Sequence, residues 1–277
     1  MKARRLIEAV MSVGLLATGV HGIGYAQLQP AESSRHDSNH GVKNIVLVHG
    51  AWADGSSWAS VIPILEAQGY HVAAAQLPLT TLEDDDDAAE RAIARITAEF
   101  PGPVLLVGHS YGGVVIGDKP GNDPNVAGLV YIAAFAPDTG ESAYSLLGTL
   151  DVPPPISRYF QLDASQQFLT ISSQGVASAF AQDLSGREQV TLTATQGPIS
   201  LATLKTSTTV LPAWRVKPTW FIVAAHDKVI TSALEQRLAD RMNATTLTLP
   251  TCHVVMLQDP LRVAEFIVRA ATSIQGQ

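Results

Sequence analysis

Apolar residues fall into short blocks of two kinds along the chain. Continuous aliphatic and β-branched runs occupy residues 44–48, 71–75, 104–107, 127–134, 219–224 and 245–249. Runs of that length without polar alternation are the pattern of strands covered on both faces. Between them lie stretches of helical spacing at about 58–67, 87–100, 232–242 and 260–271, with a short one from Tyr111 cut off near 117–124. In the second of these, Ala89, Ile93, Ile96 and Phe100 share one stripe. Strands alternating with helices predict an α/β fold: a doubly wound, mostly parallel sheet of about six strands with right-handed crossovers.

One stretch breaks the alternation. Residues 138–211 are rich in Ser, Thr, Gln, Pro and Gly and show no buried strand. Inserted between two core strands, such a segment is expected to cap the C-terminal edge of the sheet, where α/β proteins bind ligands. The N-terminus is also distinct. Lys2, Arg4 and Arg5 precede an apolar run over about 9–20 that ends in Gly24-Tyr25-Ala26, with Glu8 the one charge near its start. This has the form of a secretory signal cleaved near Ala26, and the run is shorter than the roughly 20 residues that span a bilayer. Residues 27–40 are polar and aperiodic, a leader to a single domain over 41–277. No later run is long and apolar enough to cross a membrane, so export and no membrane span after processing are expected.

Composition narrows the functional classes. Of 277 residues, 46% are hydrophobic and 16% charged, enough for one large core and incompatible with disorder. Asp and Glu outnumber Lys and Arg by 25 to 18, a net charge of −7, so no cationic surface for nucleic acid is expected. Loss of residues 1–26 would remove Lys2, Arg4, Arg5 and Glu8, two net positive charges, and leave a product near −9. The lone Cys252 excludes an intramolecular disulfide and a thiolate metal cluster, and reads as a buried, inert thiol. His36 and His40 stand four apart, but without the glutamate of a zinc helix, so no metal site is expected. The acidic run Glu83 to Asp87 is assigned to the positive end of a helix dipole rather than to calcium.

The strongest chemical signal is Gly108-His109-Ser110-Tyr111-Gly112, directly after the strand at 104–107 and before a helix. In that context G-x-S-x-G is a sharp turn that lifts a serine hydroxyl above the sheet edge, and Ser110 becomes the candidate nucleophile. A serine hydroxyl needs a base. Among eight histidines, His253 alone follows the last strand and precedes the terminal helix, in a loop that returns to the turn. Two acids lie just beyond strand ends between Ser110 and His253. Asp227 is favoured because its short loop leads straight to the helix before the last strand; Asp138, which opens the cap, remains the alternative. His49-Gly50-Ala51-Trp52 follows the first strand, so the amides of Ala51 and Tyr111 are the expected oxyanion donors, with Gly50 allowing close approach. Trp52, His109 and Trp214 are assigned to a substrate pocket, with an apolar lining suggested by Phe160, Phe168, Phe180 and Leu201.

Taken together these pieces resemble the α/β-hydrolase superfamily over about residues 42–277. The likeness is greatest to a small bacterial esterase-like branch with a V-L-V-H-G-A-W-x-x-G-x-x-W opening, related to plant methyl-ester hydrolases and hydroxynitrile lyases. It rests on Val46 to Trp52 with Trp58, the turn at Ser110, Asp227, and His253-Val254-Val255-Met256 before Asp259-Pro260. The resemblance implies that Ser110, Asp227 and His253 form a triad that hydrolyses small-molecule carboxylic esters with no metal or organic cofactor. Lyase relatives would carry a threonine at Gly50 and a lysine at Val254, so lyase chemistry is not expected. Amidase, lactonase, thioesterase or perhydrolase activity, or ligand binding without turnover, would use the same framework. Two departures stand out: the opening antiparallel hairpin of many members is missing, and the helix after Ser110 is interrupted by Gly117-Asp118-Lys119-Pro120-Gly121. The pattern sets no oligomeric state.

Overall fold

The structure, a computed structural model, describes residues 41–274; the expected signal over 1–26, the leader over 27–40 and both His36 and His40 lie outside the described residues. Strand β1 (Asn44–Val48) is buried along its whole length. A 3₁₀ turn at Gly55–Trp58 and the short helix α1 (Ile62–Glu66) lead to β2 (His71–Ala74). Helix α2 (Leu82–Glu99) starts earlier than the periodicity predicts, because the Thr81 hydroxyl caps it by accepting from the Asp84 amide. Strand β3 (Val104–His109) turns sharply into α3 (Gly112–Gly117), which stops where expected, and β4 (Val126–Ile132) follows.

The chain then enters α4 (Ala143–Leu147), β5 (Phe160–Leu162), β6 (Phe168–Ile171), α5 (Ser173–Gly175), α6 (Gly186–Thr195), β7 (Ile199–Ser200) and α7 (Leu201–Lys205). It returns through β8 (Thr219–Ala224), α8 (Ser232–Arg241), β9 (Thr245–Leu249), α9 (Val255–Gln258) and α10 (Pro260–Ser273).

Six strands form one parallel sheet in the order β2-β1-β3-β4-β8-β9. From β1 the chain first steps outward to β2 and then back past β1 to β3. The crevice beyond the C-terminal ends of β1 and β3 is therefore the topological switch point, the usual ligand position of such sheets. Register pairs Val48 with Gly108, so the loops carrying Ala51 and Ser110 leave the sheet side by side. The inserted segment differs from expectation. It holds a second, antiparallel sheet in the order β5-β6-β7, built from strands of three, four and two residues. Strands so short carry too few positions to show a period of two. No described helix is long and apolar enough to cross a membrane.

Candidate active site

Ser110 sits in the turn between β3 and α3 with φ +53°, a left-handed conformation that costs a non-glycine residue about 1–3 kcal/mol. Three backbone bonds hold the turn: Ser110 N–H donates to the Ile132 carbonyl (3.2 Å), and the Ser110 carbonyl accepts from Gly113 (3.0 Å) and Phe135 (3.1 Å). Glycine is required at two points of close approach. A Cβ on Gly112 would lie 2.7 Å from the Val48 and His49 carbonyl oxygens, and one on Gly50 would lie 2.7 Å from the Ser110 Cβ.

The structure brings three distant side chains into one line. The Ser110 hydroxyl donates to His253 Nε2 at 2.8 Å, and His253 Nδ1–H donates to Asp227 Oδ2 at 2.5 Å. His253 is fully buried, Asp227 is 7% exposed and Ser110 4%. The other Asp227 oxygen accepts the amides of Val229 (2.5 Å) and Ile230 (3.0 Å). Burial alone would raise this carboxyl, but the charge and hydrogen bond of His253 and the hydrogen bond of the Val229 amide hold it at about 2. Asp227 is thus a fixed anion beside the imidazole. Asp138 is not near this line; it pairs with Arg215, whose Nε donates to Oδ1 at 2.9 Å.

The amides of Ala51 and Tyr111 donate to no backbone carbonyl among the described residues. Ala51 is held through the preceding peptide. His49, buried, donates from Nδ1 to the Gly50 carbonyl (2.9 Å) and accepts the Leu77 amide at Nε2 (2.9 Å). Both bonds need the neutral ring, and burial lowers its proton affinity accordingly. Because C=O and N–H of a trans peptide point in opposite directions, the grip on the Gly50 oxygen also fixes the Ala51 N–H. Nothing local in the sequence marks His49 for this role, since its Leu77 partner lies 28 positions away.

Above Ser110 lies a cavity of about 680 Å³ with Ala51, Trp52, Ser110 and Tyr111 in its wall. Its remaining wall comes largely from the capping segment, including Leu147, Ile156, Phe160, Leu169 and Leu204, and among the described residues no Asp, Glu, Lys, Arg or His lines it. Trp52 takes the expected pocket position and also ties the cap down, its indole N–H donating to the Leu169 carbonyl at 3.0 Å. Phe160 and Leu201 line the cavity as well. Phe168 is not in its wall, and Phe180 instead packs between Trp52 (5.8 Å) and His253 (5.5 Å).

Two pocket assignments are corrected. His109 is fully buried behind the site, where Nε2–H donates to the His253 carbonyl at 2.9 Å and supports the histidine loop. Burial, aided by the nearby His253, pushes its ring down to about 3, so it stays neutral. The ring lies against that of His253 (centroids 4.8 Å) and beside Gly50, packed in the interior rather than in the cavity wall. Trp214 lies outside the cavity wall, donating to the Pro137 carbonyl at 3.0 Å with Arg215 and Arg241 over its ring. Cys252 is buried, and burial pushes its thiol up to about 11, as an inert thiol requires.

Two buried acids that touch the site's own residues or lie beside them, Glu235 and Asp85, have no mark in the sequence. Glu235 on α8 is fully buried near Asp227; its Oε2 accepts the Ala224 amide (2.8 Å), while Oε1 has no partner. Burial and the Asp227 charge raise this carboxyl well above the usual range, which favours its protonated form. Asp85, on the first turn of α2, is also fully buried and accepts the Tyr111 hydroxyl. A glutamate mid-helix and one acid among five carry no local mark of burial.

The sheet order, the sharp turn at Ser110 and the acid and base on the next strand ends define a class of fold. The alpha/beta hydrolase family model matches residues 45–266, and the chain belongs to that family. It is 26% identical over 253 residues to a pyrethroid hydrolase of Sphingobium wenxiniae, covering 82% of this chain and 86% of that protein. It is 34% identical over 132 residues to a carbendazim hydrolyzing esterase of a Nocardioides species, covering 42% and 52% respectively. The solved structure of a pyrethroid hydrolase from Sphingobium faniae superposes with a TM-score of 0.71 at 24% identity, over 84% of this chain and 98% of that one, a likeness of fold.

Proposed function

We propose that this chain is a serine esterase that cleaves uncharged carboxylic esters with bulky apolar substituents, using Ser110, His253 and Asp227. The observation that carries the reading is that the Ser110–His253–Asp227 line opens onto the floor of an uncharged, apolar cavity. In the acylation step the Ser110 oxygen attacks the ester carbonyl while its proton passes to His253 Nε2. The carbonyl oxygen becomes an oxyanion within reach of the Ala51 and Tyr111 amides, and Asp227 stabilises the imidazolium. His253 returns the proton to the leaving alcohol. Water then attacks the acyl-serine, giving up its proton to His253, which passes it to the Ser110 oxygen as the acid is released, so the cycle closes without a cofactor.

The cavity volume falls within the range of small-molecule sites, and its lack of charge disfavours anionic substrates, whose desolvation nothing there would offset. Relatives named as a pyrethroid hydrolase and a carbendazim hydrolyzing esterase support hydrolysis of small-molecule esters. The test is turnover of a panel of p-nitrophenyl esters of increasing acyl length, neutral and carboxylate-bearing, with Ser110→Ala as control. The variant should lose on the order of 10⁴- to 10⁶-fold in kcat. Retention of more than about a tenth of activity removes Ser110 from the role. We further propose export with cleavage near Ala26, which N-terminal sequencing of the protein recovered outside the cytoplasm decides.

A further inference from the structure

We propose that Asp85 is a positioning residue of the oxyanion hole: it grips the Tyr111 side chain and so fixes the Tyr111 backbone amide toward the developing oxyanion. The proposal rests on Ser110 being the nucleophile. Tyr111 carries both the amide that faces the reaction and a ring that does not. The ring is 1% exposed and its hydroxyl donates to Asp85 Oδ2 at 2.8 Å. Ring and amide share one Cα, so a ring locked at its far end restricts rotation of the peptide that joins Ser110 to Tyr111. That restriction matters because Ser110 is held at φ +53°, a conformation from which the turn would relax by moving this same peptide.

The carboxylate is itself anchored. Asp85 Oδ1 accepts the Leu79 amide at 2.7 Å, and Leu79 stands at φ +59° with its carbonyl accepting the Ser200 amide of β7 (2.9 Å). Asp85 thus sits between the Ser110 turn and a loop that the cap holds. Accepting a donor on each oxygen favours the ionised form, in which neither oxygen carries a proton of its own. Burial pushes this carboxyl up to about 6 against the hydrogen bonds from Tyr111 and Leu79, which leaves it charged at neutral pH. Neutralising the dipole of α2 does not account for it, because an acid serving that purpose stays in water, as Asp84 does, whereas Asp85 is completely buried.

A double-variant cycle tests this. Tyr111→Phe removes one hydroxyl, and Asp85→Asn keeps the volume but can accept only one of the two donors. For wild type, both singles and the double, kcat and KM are measured on p-nitrophenyl butyrate. Competent sites are counted from the end point of fluorophosphonate labelling, so that a partly folded sample does not pass for a slow one. Each single is expected to lower kcat per competent site about 10- to 100-fold, short of the roughly 10²- to 10³-fold of a lost donor, with KM changing less than about threefold. The double should be no slower than the slower single, since both break one link. Affinity for a trifluoromethyl ketone, which mimics the tetrahedral state, should fall in proportion to kcat/KM.

A kcat within twofold of wild type in a folded Tyr111→Phe, or losses that multiply in the double, overturns the proposal. If Asp85→Asn fails to fold, Tyr111→Phe with the ketone series decides alone. Ser110→Ala separates the two readings: activity surviving there refutes the nucleophile, whereas its loss alongside an unchanged Tyr111→Phe refutes only the role of Asp85.

Discussion

Asp86→Asn should stabilise the protein, and should do so only at neutral to alkaline pH. Asp86 lies on α2, 1% exposed, and its Oδ1 has no hydrogen-bond partner. Burial first, then the negative charges of Asp118, Glu90 and Asp85, push its carboxyl up to about 8 against the pull of Lys119. An acid raised in the folded state binds its proton more tightly there than in the unfolded chain. Its contribution to stability is therefore complete below about pH 4 and is lost as pH rises through about 8. A displacement of about four pH units corresponds to about 6 kcal/mol at about 1.4 kcal/mol per unit. Water entry and side-chain relaxation around the ion recover part of this, so half or a little less, about 2–3 kcal/mol, is the working figure. For a domain of this size that is about 5–10 °C in Tm. The assay is thermal unfolding of wild type and Asp86→Asn at pH 5 and pH 9. The variant's Tm should lie close to wild type at pH 5 and about 5–10 °C above it at pH 9. Other titrating groups shift both proteins alike, so the difference isolates this carboxyl. Parallel Tm profiles, or an asparagine variant less stable at both pH values, would show that Asp86 is solvated or paired, contrary to the structure.

His49→Ala releases the Gly50 carbonyl and the Leu77 amide together; kcat per competent site should fall about 10- to 100-fold at nearly constant KM, and an unchanged kcat would show that the Ala51 amide is held by something else. Trp52→Phe loses the bond to the Leu169 carbonyl, worth about 1 kcal/mol. KM should rise for long-chain esters and stay constant for acetate, and a uniform change across chain lengths would refute its role in seating the cap. Glu235→Gln keeps a neutral acceptor for the Ala224 amide and should preserve Tm and kcat, while Glu235→Ala should cost about 1–3 kcal/mol. If the two variants behave alike in chemical denaturation, Glu235 is not the protonated carboxyl that its burial beside Asp227 favours.

What was legible in the chain follows from how local each signal is. The central strands β1, β3, β4 and β8 announce themselves because strands buried on both faces need no partner to reveal their pattern, whereas β2 and β9 at the sheet edges are partly exposed and show as β-branched or aliphatic runs alone. Ser110 is marked within five residues, and His253 and Asp227 by their places after strands. The supporting contacts have no such mark. His109 reaches the carbonyl of His253, 144 positions away, and Trp52 reaches Leu169, 117 away. The first pair meets only once β3 and the loop after β9 lie in one sheet, and the second only once β6 of the cap folds over the loop after β1, so nothing local marks His109 or Trp214 as lying outside the pocket. The acidic run shows the same limit. Its helix-start reading holds for Asp84, which accepts from both Thr80 and Thr81, yet one and two positions on, the helix turns Asp85 and Asp86 into the interior, Asp85 onto the Tyr111 hydroxyl.

The capping segment was opaque for another reason: its composition describes its outside. Ser, Thr and Gln cover the surface of three very short strands and several one- or two-turn helices, and the apolar positions among them are too scattered for any period to emerge. Folded against the sheet, those scattered residues converge on one cavity above Ser110. The catalytic framework can therefore be read from strand ends alone, whereas the shape that selects a substrate is written in single residues that meet only after folding. Substitutions such as Leu147, Ile156 or Leu204 to smaller side chains should accordingly alter KM between esters while leaving the Ser110–His253–Asp227 line, which none of them joins, in place.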